Sequence, residues 1–249
     1  MALFGSLFEK RTCSVCGSET SLLGSLRLED GNLCEECVGR LSPFFVDRRR
    51  STVEQIREQL AYRKANEAEV ASFDVTRAMG GSTKVLLDGN RGKCVVASSE
   101  RWRDDNPDVV SLSQVTGCDI EVCELRDEAS RPDEDGSRAS HNPPRHGIAY
   151  NVEVTIRVSS PYFDQIRIRL NDEGIERQDS VEFLEAYRQA EEIHDALTQA
   201  SQAAYGRTAA SGTPGTSETH ARCGASAASD ASCRHRVPRD SVPARGRGG

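Results

Sequence analysis

Cys13-Ser14-Val15-Cys16-Gly17 and Cys34-Glu35-Glu36-Cys37 are the two stretches that decide how this chain is read, with seventeen residues between Cys16 and Cys34. A C-x₂-C pair lets two thiolates of one tight turn reach the same ion, and two such pairs supply the four soft ligands that Zn²⁺ takes at about 2.3 Å. The spacing therefore predicts a zinc site with Cys13, Cys16, Cys34 and Cys37 as ligands. Four protein ligands fill a tetrahedral sphere and leave no position for water or substrate, so the metal is expected to be structural. A redox dithiol is the competing reading. It normally presents one such pair beside a βαβ pattern, and here there are two.

Working outward from the cysteines, residues 21–28 read as a strand, Glu29-Asp30-Gly31-Asn32 carries the Asp-Gly signal of a tight hairpin turn, and Leu33 returns toward the second pair. Residues 35–41 look like the opening of a helix with acidic residues at its positive end. Knuckle, hairpin and helix-borne knuckle describe a treble-clef-like finger. Gly17 suits a left-handed backbone that turns amide hydrogens toward sulfur. Lys10, Arg11 and Arg40 flank the cluster as candidate counter-charges. So short a segment has too little apolar surface to fold by burial alone, so its metal should supply most of its folding free energy.

Of the 249 residues only 37% are hydrophobic and 5% aromatic, so part of the chain is expected outside any core. The formal charge of -7 argues against a general nucleic-acid binder. The other five cysteines (94, 118, 123, 223 and 233) show no disulfide-framework spacing, which fits a reducing compartment, and the cytoplasm is the expectation. Neither a signal peptide nor an apolar run of spanning length is seen. Leu3, Phe4, Leu7 and Phe8 could form one amphipathic turn, read as a packed terminus rather than a membrane anchor.

Beyond the finger, Ser51-Thr52-Val53-Glu54 reads as a capping box opening a helix over 52–71, with Val53, Ile56 and Leu60 as its apolar stripe and Arg63 among the polar residues elsewhere. Arg48 to Arg50 is the best sequence candidate for contact with an acidic partner. Strands are expected over 83–87, 93–98, 109–115, 119–125, 149–158 and 166–170 from β-branched content and alternation. The segment 126–147 reads as mainly loop, with a hairpin tip near Asp135. Asp179-Ser180-Val181-Glu182 reads as a second capping box. It opens a helix to about residue 203 whose apolar side includes Phe183, Leu184, Tyr187, Ala190, Ile193, His194 and Leu197. The architecture predicted is α+β: a zinc finger over 1–46, a connector helix over 47–72, an antiparallel β-barrel-like domain with a closing helix over 73–204, and a disordered tail over 205–249. That tail carries seven arginines against Glu218, Asp230 and Asp240. His220, Cys223, Cys233 and His235 match no standard finger spacing.

Sequence motifs for catalysis are lacking. There is no G-x-S-x-G elbow, H-E-x-x-H helix or G-x-G-x-x-G unit. Gly80-Gly81-Ser82-Thr83-Lys84 has phosphate-loop composition with the lysine in the wrong place, and reads as a linker. His141 and His146 beside Ser140, with Asp133 and Asp135, share one polar loop, whereas catalytic triads converge from separate elements. No catalytic residue and no organic cofactor is nominated.

Cys13-x₂-Cys16-Gly17, Ser21-Leu22-Leu23-Gly24, Asp30-Gly31, Cys34-x₂-Cys37 and Leu41-Ser42-Pro43-Phe44 resemble the zinc-finger-like N-terminal domain of a bacterial family of unknown function. Asn106-Pro107-Asp108, Gln114-Val115-Thr116-Gly117-Cys118-Asp119, Asn142-Pro143-Pro144-Arg145 and Pro161-Tyr162-Phe163 look like the second part of the same proteins. The strand series with its closing helix is also similar to pleckstrin-homology-like (PH-like) folds, a likeness of architecture that does not give function. The expectation is a non-enzymatic, zinc-binding interaction or scaffold module with a protein partner. A lipid partner through the β-rich domain ranks below that. The rival expectation is a nucleic-acid-binding regulator using the finger, Arg48 to Arg50 and the basic tail.

Overall fold

The computed structural model describes residues 11–20, 25–126 and 148–211. The amphipathic N-terminal turn, the 126–147 loop from residue 127 on with its His141 and His146, and the tail residues His220, Cys223, Cys233 and His235 lie outside them, as does Lys10.

The finger comprises β1 (Arg11–Thr12), β2 (Glu19–Thr20), β3 (Ser25–Arg27), β4 (Asn32–Cys34) and helix α1 (Glu35–Gly39). β1 pairs with β2 around the first cysteine pair, and β3 pairs with β4 with Leu26 opposite Leu33. The Asp-Gly turn forms where expected, closed by Leu28 N–H donating to Gly31 O at 2.9 Å. The glycine is needed for a different reason than the turn signal implied, because Gly31 is not at positive φ. A Cβ there would lie 2.5 Å from Ser14 Oγ and 2.7 Å from Val53 Cγ2, so the residue is small because three segments meet at it.

Helix α2 (Val53–Ala71) follows, close to the predicted 52–71. Its cap is Thr52 with Gln55, one residue later than the sequence suggested. Ser51 is buried and its hydroxyl donates to Asp47 O at 2.9 Å, so it is not free to cap. The inner face of α2 carries Val53 and Ile56 as expected, then Gln59, Arg63, Asn66 and Val70. Arg63 thus sits on the buried side, not on the solvated one.

The β-rich region contains β5 (Arg77–Gly80), β6 (Lys84–Asp88), β7 (Lys93–Ala97), β8 (Val110–Ser111), β9 (Val115–Arg126), β10 (Ile148–Val158) and β11 (Gln165–Arg169). They form two open antiparallel sheets, β5-β6-β7-β8 and β11-β10-β9, and not a closed barrel. A 3₁₀ turn at Leu112–Gln114 separates β8 from β9, so the hydrogen-bond ladder does not run from one sheet into the other. Gly80-Gly81-Ser82-Thr83-Lys84 is the β5–β6 hairpin turn and not a linker. Gly80 has φ +98°, and a Cβ there would meet Thr83 O at 2.5 Å. The strand before that turn, β5, gave no alternation signal.

Helix α3 (Val181–Ser211) extends past the expected end near 203. Its N-terminus is held by Ser180, whose Oγ accepts from Phe183 N–H at 3.2 Å, again one residue after the predicted cap. Asp179 instead pairs with Arg177 at 2.6 Å. Phe183, Ala186, Tyr187, Ala190, Ile193 and Leu197 face the main core, whereas Leu184 is exposed and His194 reaches Asp195 at 2.9 Å. The core lies between α3 and both sheets, with Val85 and Leu87 from β6 and Val152, Val154 and Ile156 from β10. Leu86, Val95 and Ala97 face the other way, onto Val70, Phe73 and Trp102. β6 is therefore buried on both faces, which explains its unbroken Val85-Leu86-Leu87 run.

Candidate metal centre

Each cysteine pair is placed by a local backbone device. At the first, Cys13 N–H donates to Ser18 O and Gly17 N–H to Cys13 O, both at 2.9 Å, while Gly17 takes φ +79° in open space. The expected left-handed glycine is therefore present for its backbone alone. At the second, Cys34 ends β4 and caps α1, its Sγ accepting from Cys37 N–H at 3.5 Å. One α-helical turn then brings Cys37 round to the same side.

The result is one cluster. All four Sγ atoms lie within 4.8 Å of one another, with Cys16 to Cys34 at 3.6 Å and Cys13 to Cys37 at 4.0 Å. Thiolates about 2.3 Å from a shared tetrahedral ion stand about 3.8 Å apart, so the set fits a metal ion. Cys13, Cys34 and Cys37 are buried and Cys16 is exposed. Burial, followed by the neighbouring sulfurs of Cys34 and Cys16, pushes the Cys37 thiol far above its ordinary value. The Ser18 hydroxyl, then the Ser18 backbone, holds Cys16 down at about 6. Burial raises Cys13, but backbone N–H groups of residues 16, 34 and 15 outweigh it and leave it lowered. At Cys34 the N–H of Cys37 acts downward, yet burial and the Cys16 sulfur leave that thiol raised. Four adjacent sulfurs with such opposed tendencies do not ionise together unaided, and a divalent cation among them reverses the balance.

The cluster is braced from behind by α2. Asp30 Oδ1, at the hairpin tip, accepts from Val53 N–H at 2.7 Å, and Arg57 donates to Ser14 O at 3.0 Å. Ser14 N–H in turn donates to Asn32 O at 2.8 Å. Cys13, Cys34 and Cys37 share one apolar cluster with Leu28, Leu33, Leu41, Phe45, Val53 and Ile56. Sequence reasoning took Asp30 for a turn residue only and missed its second role at the α2 N-terminus.

A second set of residues, also missed, joins the finger to the sheets. Ser42 Oγ donates to Asp108 Oδ2 at 2.8 Å, Arg63 pairs with Asp108 Oδ1 at 3.1 Å, and Arg63 Nε donates to Arg40 O at 3.3 Å. Asn66 donates to Asn106 Oδ1 and Pro107 O and accepts from Val109 N–H. Asn106, at φ 48°, donates back to Arg63 O. Beside this network, burial and the Asp108 carboxylate push the Tyr62 phenol above its usual range. Its sequence signal is the polar run 59, 63, 66 at helical spacing on the same face as Ile56.

Arg48, nominated as a partner contact, donates to Phe45 O at 2.8 Å and Ser42 O at 2.9 Å and so secures the chain leaving the finger, while Arg49 and Arg50 are exposed. Arg40 is exposed beside the cluster.

Comparison with protein families matches residues 12–59 to a domain of unknown function, DUF4428. The matched stretch is the cysteine cluster together with the N-terminal part of α2 that braces it. No curated protein and no solved structure matches the chain. Among the described residues no helix is long and apolar enough to cross a membrane.

Proposed function

We propose that this chain is a non-enzymatic zinc-binding interaction or scaffold protein in which Cys13, Cys16, Cys34 and Cys37 hold one structural Zn²⁺. The observation that carries the reading is the closed set of four sulfurs within 4.8 Å. Thiolates in tetrahedral number favour zinc over harder ions, and a filled sphere leaves no coordination site for a reaction. The order of knuckle, hairpin and helix supports a treble-clef finger. Four strands, then three, then a packed helix support a PH-like second domain. A cytoplasmic location is in keeping with four cluster thiols that a metal requires reduced, whereas Cys123 is disulfide-bonded and does not support it.

A protein partner is preferred to nucleic acid because the chain carries a formal charge of -7 and three of the cations near the finger are engaged internally, while Arg40, Arg49 and Arg50 are exposed. Arg48 and Arg57 bond main-chain carbonyls, and Arg63 is paired and buried. Metal analysis of the full chain should return one zinc per molecule, and Cys34→Ala should lose it. Retention of the zinc by that variant removes the site as drawn. A salt titration against DNA and RNA checks the rival reading, because steep salt-dependent binding would favour nucleic acid over a protein partner.

A further inference from the structure

The segment 41–45, which leaves the finger, belongs to two cores at once. Leu41 and Phe45 are buried in the cysteine cluster. Phe44 packs on the sheet–helix core, its ring 5.5 Å from that of Phe163. Between them Ser42 is tied to Asp108, and Gln59 Oε1 accepts from Ser42 N–H at 3.4 Å. Phe45 and Tyr62 also hold Tyr162 from two sides, at 6.4 and 4.8 Å between ring centroids. Position along these few residues is therefore set jointly by the finger and by the sheets.

Pro43 and Phe44 line a cleft of about 460 Å³, together with Val96, Trp102, Arg167 and Ile168. That volume is in the range of small-ligand sites. β7 pairs with β8 only through Lys93 and Cys94, and β11 is the outer strand of its sheet, so two strand edges border the cleft. The rest of the lining comes from the finger's exit segment, Arg63 of α2, Ser82 and Thr83 of the β5–β6 turn, and Trp102, Asp105 and Pro107 of the loop before β8.

We propose that the metal centre controls this cleft. With the metal bound, the finger holds Pro43 and Phe44 against the sheets, and the cleft is formed. With the metal removed, Leu41 and Phe45 lose the cluster that buries them, because a segment this small does not hold its shape by burial alone. The wall at Pro43 and Phe44 then swings free while the core between α3 and the sheets persists. This inference rests on the structural-metal reading above and adds that the ion acts on a surface outside the finger.

The chain contains a single tryptophan, and it lines the cleft. Acrylamide quenching of Trp102 therefore reports on the wall in the full-length protein, with amide exchange read over 105–109 and 160–164 and, as reference, over 150–158 and 185–197. After the metal is stripped by chelation, quenching should rise several-fold and protection should fall over 105–109 and 160–164, with the reference segments unchanged. Phe44→Ala should raise quenching similarly while keeping its metal, and unchanged protection over the reference segments shows that this variant is folded. Unchanged quenching in either arm, or loss of protection in the reference segments as well, overturns the proposal. A wild-type chain that holds no metal defeats the function reading instead, and the Phe44→Ala arm still decides whether the exit segment shapes the cleft.

Discussion

Replacing Asp108 by alanine should be among the most costly single changes outside the finger. The Asp108 side chain is fully buried and that of Arg63 is only 9% exposed, so the variant leaves a guanidinium desolvated without its carboxylate. Breaking a buried pair in this way costs about 3–5 kcal/mol. The Ser42 hydroxyl also loses its acceptor, which adds about 1 kcal/mol. For a folded region of this size, a total of about 5 kcal/mol lowers the thermal midpoint by about 10–20 °C. The assay is urea and thermal unfolding of Asp108→Ala, together with Arg63→Met, Asp108→Leu and their combination taken as a double-mutant cycle. The apolar pair should recover most of the loss, because it removes both charges and the cost of burying them. A loss below about 1 kcal/mol in Asp108→Ala, or a double variant no better than the singles, would refute the reasoning.

Two further outcomes follow from particular contacts. Gly31→Ala should cost about 1–3 kcal/mol and weaken metal retention, because its Cβ overlaps Ser14 and Val53 at the junction of knuckle, hairpin and α2; an unchanged melting curve counts against that junction. Burial, first of all, pushes the Cys94 and Cys118 thiols from 9.0 up to about 12. The folded thiols stay protonated where unfolded ones ionise, so their contribution is full below pH about 9 and declines as pH rises toward about 12. Cys94→Val with Cys118→Val should flatten that part of the stability profile, and an identical slope in the double variant refutes the assignment.

The finger was largely legible because its determinants are local. The ligand spacing, Gly17 and the Asp30-Gly31 turn each specify a shape over a few residues, and the cysteines meet as their spacing required. The long strands β9 and β10 and both long helices were visible for a similar reason, since alternation and helical period are properties of one segment. Both capping boxes were read one residue early. A cap residue followed three positions later by glutamate was present on paper at Ser51 and Asp179, but local bonds to Asp47, four residues back, and Arg177, two residues back, had already claimed those side chains.

By itself, then, the sequence determined a set of four cysteines able to hold a metal ion, an α+β chain, and a helix on either side of a β-rich region. Only the tertiary structure decided that the sheets stay open, and that Arg63 turns inward to Asp108, 45 residues away in sequence. It also decided that Pro43 and Phe44, just after the cysteine cluster, line a cleft with residues of both sheets. The physical reason is that metal-ligand spacing and periodicity are written within short windows, whereas the burial of a charge depends on a partner supplied by a distant segment.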